Sequence, residues 1–504
     1  MPGSSCLVSF CWLAQISLAS STVACTVTVS QCNCLSIGGY SMIASELAGF
    51  ASELTIEDVP RAVRDRAVLH LADCLGIAVA STTMDFGESV HRAGTRLGSG
   101  QDSRVIGWGT PLPAASAALV NGTLIHGLDF DDTHIEAIHH ASAPALASAL
   151  SVAEAEDASG TDLLLAYIIG VEVGTRLAIA GQGEFHDRGF HPTGILGTFA
   201  AVCATGSVRN VSPETMVRAM GLAGSQAAGI LELHHSWLKR LHPGWAAHSG
   251  IVASTLAEEG FVGPASVFEG DNGLFMSHLG RVPDRTALHL DDLGSHWMTA
   301  ELALKPYPCC HFTHAFIDAA LELREQLLDS GRTLDDIESI SAPTSERLIP
   351  AVAAPVDRRI APETIYDALF SIQFAIALAL QQGRVDLASF YDQPLDDPAV
   401  RRIAALVTCP IDEQSDYPAH FPGEVIITFK DGSVLQKRHA SSRGTHEQPL
   451  NESEVVAKFR SNVTRRWDEA AAEEVSKTVL EVENLSASQL VDAFCETTGQ
   501  RGAK

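Results

Sequence analysis

The sequence predicts a mainly helical protein, with a large all-helical domain followed by a smaller domain of α+β character. Two observations carry this reading. From Ile43 to about Met276 apolar residues recur at helical spacing through Ala- and Gly-rich runs, and strand signals begin only beyond about Glu301. Length agrees, because 504 residues exceed what one simple core organises. With 46% hydrophobic and only 19% charged residues, the chain reads as packed and globular.

Residues 1–41 hold no Lys, Arg, Asp or Glu and are rich in Ser, Thr and Cys. The apolar run from Cys6 to Ala19 lacks the positive flank of a signal peptide and falls short of the ~20 residues of a membrane span. This extension is left unassigned, as a targeting segment or a start-site artefact. Residues 42–300 form the predicted helical domain. Asp58-Val-Pro60 opens a helix in which Val63, Ala67, Leu71 and Leu75 supply the apolar period. Further helices are predicted over residues 114–133, 143–156, 161–180, 193–206, 213–231 and 246–259. Glu172 and Arg176 interrupt the apolar run from Leu164 to Ala180, so it is not a membrane span. Residues 301–448 form the α+β domain: helices over 311–329 and 361–382, a strand over 337–342, and two strands joined at Asp431-Gly432, a strong hairpin signal. Residues 449–504 turn helical again and are expected to return to the first domain.

Composition excludes several functions. A net charge of -27 repels nucleic acid and anionic membrane, and no phosphate-binding glycine motif marks a nucleotide site. Beyond residue 41 the six cysteines, Cys74, Cys203, Cys309, Cys310, Cys409 and Cys495, show no paired spacing and read as reduced thiols in a cytoplasmic protein. Lysine is scarce: only Lys239 and Lys305 precede residue 430, each just ahead of a predicted helix start. A compact ammonium kept where Arg is otherwise chosen suits carboxylate binding or proton transfer.

Four stretches concentrate chemistry. Residues 127–142 hold Asp129, Asp131, Asp132, Glu136, His134, His139 and His140 between apolar helices. If 114–133 is one helix, His126, Asp129 and Thr133 share a face, and the following loop folds His139 back towards it. Asp131, Asp132 and Glu136 read as capping or solvated acids. In the second stretch Thr193 is placed as an N-cap, so His191 lies beside free helix N–H groups, a ready anion site. The third carries Lys239, Arg240 and His242. The fourth carries Lys305, Tyr307 and the packed thiols of Cys309 and Cys310. Together they predict a cleft that binds a small polycarboxylate and moves a proton beside it. Metal-ligand types are present at His126, Asp129, Asp131, His134, His139 and His140, but no HExxH or paired-Cys spacing appears, and no metal is predicted.

These four stretches, Leu128-Asp-Phe-Asp-Asp-Thr133, His191-Pro-Thr-Gly, Lys239-Arg-Leu-His-Pro-Gly244 and Lys305-Pro-Tyr-Pro-Cys-Cys310, resemble the MmgE/PrpD family, in order, from about Met42 onward. The resemblance implies a large helical domain built from both chain ends, a smaller α+β lid, a homodimer, and a cofactor-free, metal-free site in the cleft. It implies catalytic roles for Asp129, His139, His191, Lys239 and Lys305. It implies substrate contacts from Thr133, Lys239, His242, Lys305 and Tyr307. The expected activity is that of a lyase on a di- or tricarboxylate, of the 2-methylcitrate dehydratase or cis-aconitate decarboxylase kind. An epimerase on a diacid such as iminodisuccinate is the alternative, ahead of a metal-dependent hydrolase or a non-catalytic scaffold. Phe374 stands where a tyrosine is often found in the family.

Overall fold

The computed structural model describes residues 36–37, 40–233 and 236–495, so the extension 1–41 lies almost wholly outside the described residues. The first part is helical: α1 Ile43–Glu53, α2 Arg61–Ser81, α3 Asp85–Leu97, α4 Ala114–Ile125, α5 Ser142–Ala155, α6 Gly160–Ile179, α7 Pro192–Val208, α8 Pro213–Ala223 and α9 Leu238–Glu258. Helices α5, α6 and α7 are buried along almost their whole length, which is why they are apolar all round rather than on one stripe. Their Ala and Gly residues let backbones approach. At the crossing of α4 and α9, a Cβ on Gly122 would lie 2.7 Å from Gly244 Cα, and one on Gly244 would lie 2.2 Å from the Leu119 carbonyl oxygen. That contact sets the first turn of α9 against the loop that follows α4.

The second part contains α10 His314–Asp329, α11 Ile365–Leu369 and α12 Ile372–Gln382, with a four-stranded sheet. Its strands are β1 Ile337–Ser341, β2 Val407–Thr408, β3 Gly423–Phe429 and β4 Val434–His439, in the order β2-β1-β3-β4. The β1–β2 pair is parallel and the other two pairs are antiparallel. The hairpin turns at Asp431-Gly432 as expected, with Gly432 at φ 81° and Phe429 N–H donating to the Ser433 carbonyl at 2.9 Å. Val425, Ile427 and Phe429 alternate inward along β3 to pack under α10. Helices α13 Glu452–Val463 and α14 Glu469–Leu480 pack on α2, and Lys458 of α13 donates to Asp73 and to the Phe130 carbonyl at 2.8 Å. Among the described residues no single helix is long and apolar enough to cross a membrane. Cys74, Cys203, Cys309, Cys310 and Cys409 are free thiols.

Several predicted helices are corrected. The helix from 114 stops at Ile125, and Asp129 takes a left-handed φ of 51°, so His126, Asp129 and Thr133 do not share a helical face. Helix α8 ends at Ala223 rather than 231. Helix α9 begins at Leu238 rather than 246, so Lys239 lies inside its first turn, and Pro243 costs it one internal hydrogen bond. The helix expected over 361–382 is split, because the Ser371 side chain caps a new start by accepting from Phe374 N–H at 2.9 Å.

Replacing a helical glycine by alanine ordinarily stabilises a helix by about 1 kcal/mol. Gly244→Ala is expected to do the opposite here, lowering stability by about 1–3 kcal/mol through overpacking. A fall in the thermal unfolding midpoint checks this; a rise would show that the α4–α9 crossing has room.

Candidate active site

The loop after α4 places the central carboxylate. Its turn is closed by Asp129 N–H donating to the His126 carbonyl at 3.0 Å, and Thr133 and Ala303 exchange backbone hydrogen bonds at 3.0 and 2.9 Å. Lys239 from α9 and Lys305 then reach the same oxygen, Asp129 Oδ1, each at 3.0 Å, and Lys305 also donates to the Asp129 carbonyl at 2.7 Å. Asp129 Oδ2 is buried and accepts no hydrogen bond from the described residues. Burial opposes ionisation of Asp129, but the two ammonium groups outweigh it and hold the carboxyl far below the usual carboxylate range. Burial likewise opposes the charge on Lys305, and Asp129 more than compensates, raising it above its ordinary value.

These groups line a cavity of about 250 Å³, together with Thr133, His140, His186, His191, His311, Arg359, Tyr366 and Phe370. A tight turn decides which histidine faces it. His134 and His139 pair as a bridge, with Ile138 at φ 49°, and this turns His140 inward and His139 down beside α6. A Cβ on Gly174 would meet His139 Nε2 at 3.0 Å, and neither ring nitrogen of His139 has a hydrogen-bond partner among the described residues. His140 is fixed at three points. Its N–H donates to Thr193 Oγ1 at 3.0 Å, its Nδ1 donates to the Asp132 carbonyl at 2.8 Å, and its Nε2 lies 3.8 Å from Asp129 Oδ1. Thr193 is therefore a brace within the first turn of α7, whose N-cap is His191.

Asp131 and Asp132 are not solvated caps. Both are fully buried, Asp131 against His126 Nδ1 at 2.8 Å and Asp132 against His70 Nδ1 at 2.6 Å, with Ser142 and Tyr167 completing the Asp132 network. Burial opposes the Asp132 charge, yet the His70 and Ser142 hydrogen bonds hold it below its ordinary value. Glu136 is exposed as expected.

Of the predicted site residues, Asp129, Thr133, His191, Lys239 and Lys305 come together on the cavity wall, and His139, His242 and Tyr307 do not. His242 Nδ1 lies 2.9 Å from His191 Nδ1 and braces it from behind. Tyr307 turns away and donates to Asp318 at 2.6 Å. Phe374 is core, beside Phe390, whereas Tyr366, eight residues earlier, lines the cavity. Sequence reasoning missed His140, His186, His311, Arg359 and Tyr366. Only His140 carried a signal, its place next to His139.

Burial and the neighbouring His126 and lysine charges push His140 well below its ordinary value; burial, His242 and Lys239 do the same to His191. Burial and Lys305 lower His311 to about 3, and burial and Lys239 lower His186 to about 4. At neutral pH the wall therefore presents Lys239, Lys305 and Arg359 beside uncharged imidazoles, against the carboxylates of Asp129 and Asp367. Such a surface binds anions and exchanges protons. His126, His140 and His191 also bring ligand atoms within 4.8 Å of one another, as do His126, Asp129, Asp131 and His140. A dication among them would face both ammonium groups, and Asp131 is already engaged by His126.

The chain is similar to the cis-aconitate decarboxylase of Aspergillus terreus, 27% identical over 464 residues that cover 88% of this chain and 94% of the relative. It is similar to that of Mus musculus, 28% identical over 458 residues covering 88% and 91%. It is also similar to the mitochondrial 2-methylcitrate dehydratase of Yarrowia lipolytica, 23% identical over 397 residues covering 74% and 75%. Those relatives are carboxy-lyases and a hydro-lyase, and the protein with this helical fold and cationic cleft is an enzyme, a lyase. It belongs to the MmgE/PrpD family: the N-terminal domain of that family matches residues 45–285 and the C-terminal domain residues 307–484.

Asp129→Asn is expected to cost about 3–5 kcal/mol, because it leaves two buried ammonium groups without their counter-ion. Denaturant midpoints measure this. The folded carboxyl is held below its unfolded value, so its contribution is present above about pH 4 and lost as pH falls further. The variant should accordingly show a shallower acid limb of stability; an unchanged limb would mean that Asp129 is not held ionised.

Proposed function

We propose that the protein is a cofactor-independent lyase that releases carbon dioxide from a small tricarboxylate of the cis-aconitate kind. The observation that carries this is the convergence of two ammonium groups on one buried carboxylate oxygen beside uncharged imidazoles. Carboxylates of the substrate share Lys239 and Lys305 with Asp129, next to the Thr133 hydroxyl. The bond between a methylene carbon and its carboxylate breaks, its electron pair forms a new methylene double bond, and the former double bond takes one proton at its far carbon. The ammonium groups stabilise the enolate-like charge that develops on the way. An arriving polyanion reverses the field at the imidazoles and raises their proton affinity, which supplies the proton from His140 or His191. His140 thus takes the part first expected of His139.

Loss of water is the second reading, favoured by the similarity to 2-methylcitrate dehydratase. There the same imidazoles would remove a proton beside a carboxylate while an ammonium group assists the departing hydroxyl. Epimerisation of a diacid would use the same groups without a leaving group. We also propose a cytoplasmic homodimer, supported by the free thiols of Cys74, Cys203, Cys309, Cys310 and Cys409 and by the exposed Trp245 and Leu256 on α9. A division into residues 42–300, 301–448 and 449–504 is supported by separate cores. One gathers residues from Val59 to Leu302 and from Phe459 to Cys495, and the other gathers mainly Ala303 to Phe429.

Proton NMR in deuterated water with EDTA, against cis-aconitate, 2-methylcitrate, citrate and iminodisuccinate, tests the proposal. New methylene signals from cis-aconitate with release of carbon dioxide are expected. A methyl singlet on a new double bond, or a vinyl signal, from 2-methylcitrate alone would select the hydro-lyase, exchange without elimination the epimerase, and activity only after zinc is restored a metal enzyme. Lys239→Ala and Lys305→Ala should each lose about 2–5 kcal/mol in kcat/KM. His140→Ala should lower kcat with little change in KM, and by more than His139→Ala does; equal effects would remove His140 from the reaction.

A further inference from the structure

A second cavity, of about 630 Å³, opens beside the central one and shares the Tyr366 ring with it as a common wall. Lys239 and Arg240 are consecutive in the first turn of α9, so their side chains diverge, Lys239 into the central cavity and Arg240 into the second. Arg240 is only 7% exposed. Its Nε donates to the Gly127 carbonyl at 2.6 Å, and its guanidinium lies 4.7 Å from the Phe86 ring centre and 5.7 Å from that of Tyr366. Its Nη1 is buried and makes no well-formed hydrogen bond among the described residues; the Tyr391 hydroxyl, the nearby polar group on the same wall, is likewise left without one. A buried guanidinium N–H without a partner is costly unless a ligand completes it.

Two long helices begin at the same cavity. The N-cap positions of α3 and α9 are Met84 and Trp237, both on its wall, and neither offers a side-chain cap; at α9 Ser236 Oγ accepts only the Leu238 N–H, at 3.4 Å. Arg465, also on the wall, is held by Asp392 through two hydrogen bonds at 3.0 and 2.9 Å, and its Nε is buried without an acceptor among the described residues. Exposed Asp85 is the one carboxylate among the lining residues. Aromatic walls around a positive end suit an acid with a carbon skeleton better than a bare ion.

We infer that this cavity is a second binding site for a small organic acid, in which Arg240 Nη1 and the helix starts at Met84 and Trp237 hold one carboxylate. It depends on the proposed lyase reading only for the choice of probe. Calorimetric titration of the full chain with tricarballylate, a saturated tricarboxylate with no hydroxyl to lose, tests it. Two binding events are expected. Arg240→Gln should weaken one of them by about tenfold or more. Asp85→Lys, at an exposed position that does not hold the fold, should strengthen that same event by about two- to fivefold. A single event in the natural chain, or a second event that neither variant moves, overturns the site. Inorganic phosphate binding there as tightly as tricarballylate overturns its assignment to an organic acid. Lys305→Ala should abolish the other event alone; if it moves neither, the central-pocket reading fails while the second site stands.

Discussion

The clasp of Asp129 by Lys239 and Lys305 joins three separate parts of the chain: the loop after α4, the first turn of α9 and the segment leading to α10. Burying two ammonium groups costs several kcal/mol each unless a counter-ion and further acceptors are supplied. Asp129 supplies both, its carboxylate to each lysine and its backbone carbonyl to Lys305. It does so from a left-handed conformation, which short polar side chains tolerate better than most. The result is a prearranged pair of cations whose remaining N–H groups are open to a second carboxylate.

That clasp holds only because the neighbouring charges are kept apart. Asp129, Asp131 and Asp132 lie within four residues, all buried, and would repel one another if they shared a partner. Each has its own: the lysines for Asp129, His126 for Asp131, and His70 with Ser142 for Asp132. The partners come from helices packed closely enough to reach, and small residues make that packing possible. Gly122 against Gly244 brings α9, and with it Lys239, to the loop. Lys458 reaches Phe130 from α13, so the C-terminal helices help to fix the same turn.

The parts of this arrangement that depend on local spacing were legible in the sequence. Helical periodicity found α2, α5, α6 and α10 to within a few residues, and Asp431-Gly432 located the hairpin. The two early lysines marked the cleft because Lys is scarce and their side chains have one function. What depends on backbone geometry was not legible. The end of α4 at Ile125, followed by the left-handed Asp129, is announced by no run of apolar residues. Whether His139 or His140 faces the cavity depends on a bridge between His134 and His139, and a one-residue change reverses the direction of a side chain. Tyr307 and Asp318 pair through a contact between elements that spacing does not encode. Arg359 enters from a short helix, Val356–Ile360, that the single predicted helix over 361–382 left out.

The proton inventory of the cleft couples recognition to chemistry in the proposed reaction. In the free site burial is the first cause that keeps His140 and His191 uncharged, and the lysine charges, Lys239 and Lys305 at His140 and Lys239 at His191, add to it. With Asp129 already offsetting one of the two ammonium charges, a monocarboxylate brings the trio to neutrality, and burial still favours the uncharged imidazoles. A tricarboxylate carries the balance to negative, so the larger anion gives an imidazole the stronger reason to take up a proton. The charge that binds the substrate is also the charge that arms the acid, and a ligand too weakly charged to do the first cannot do the second.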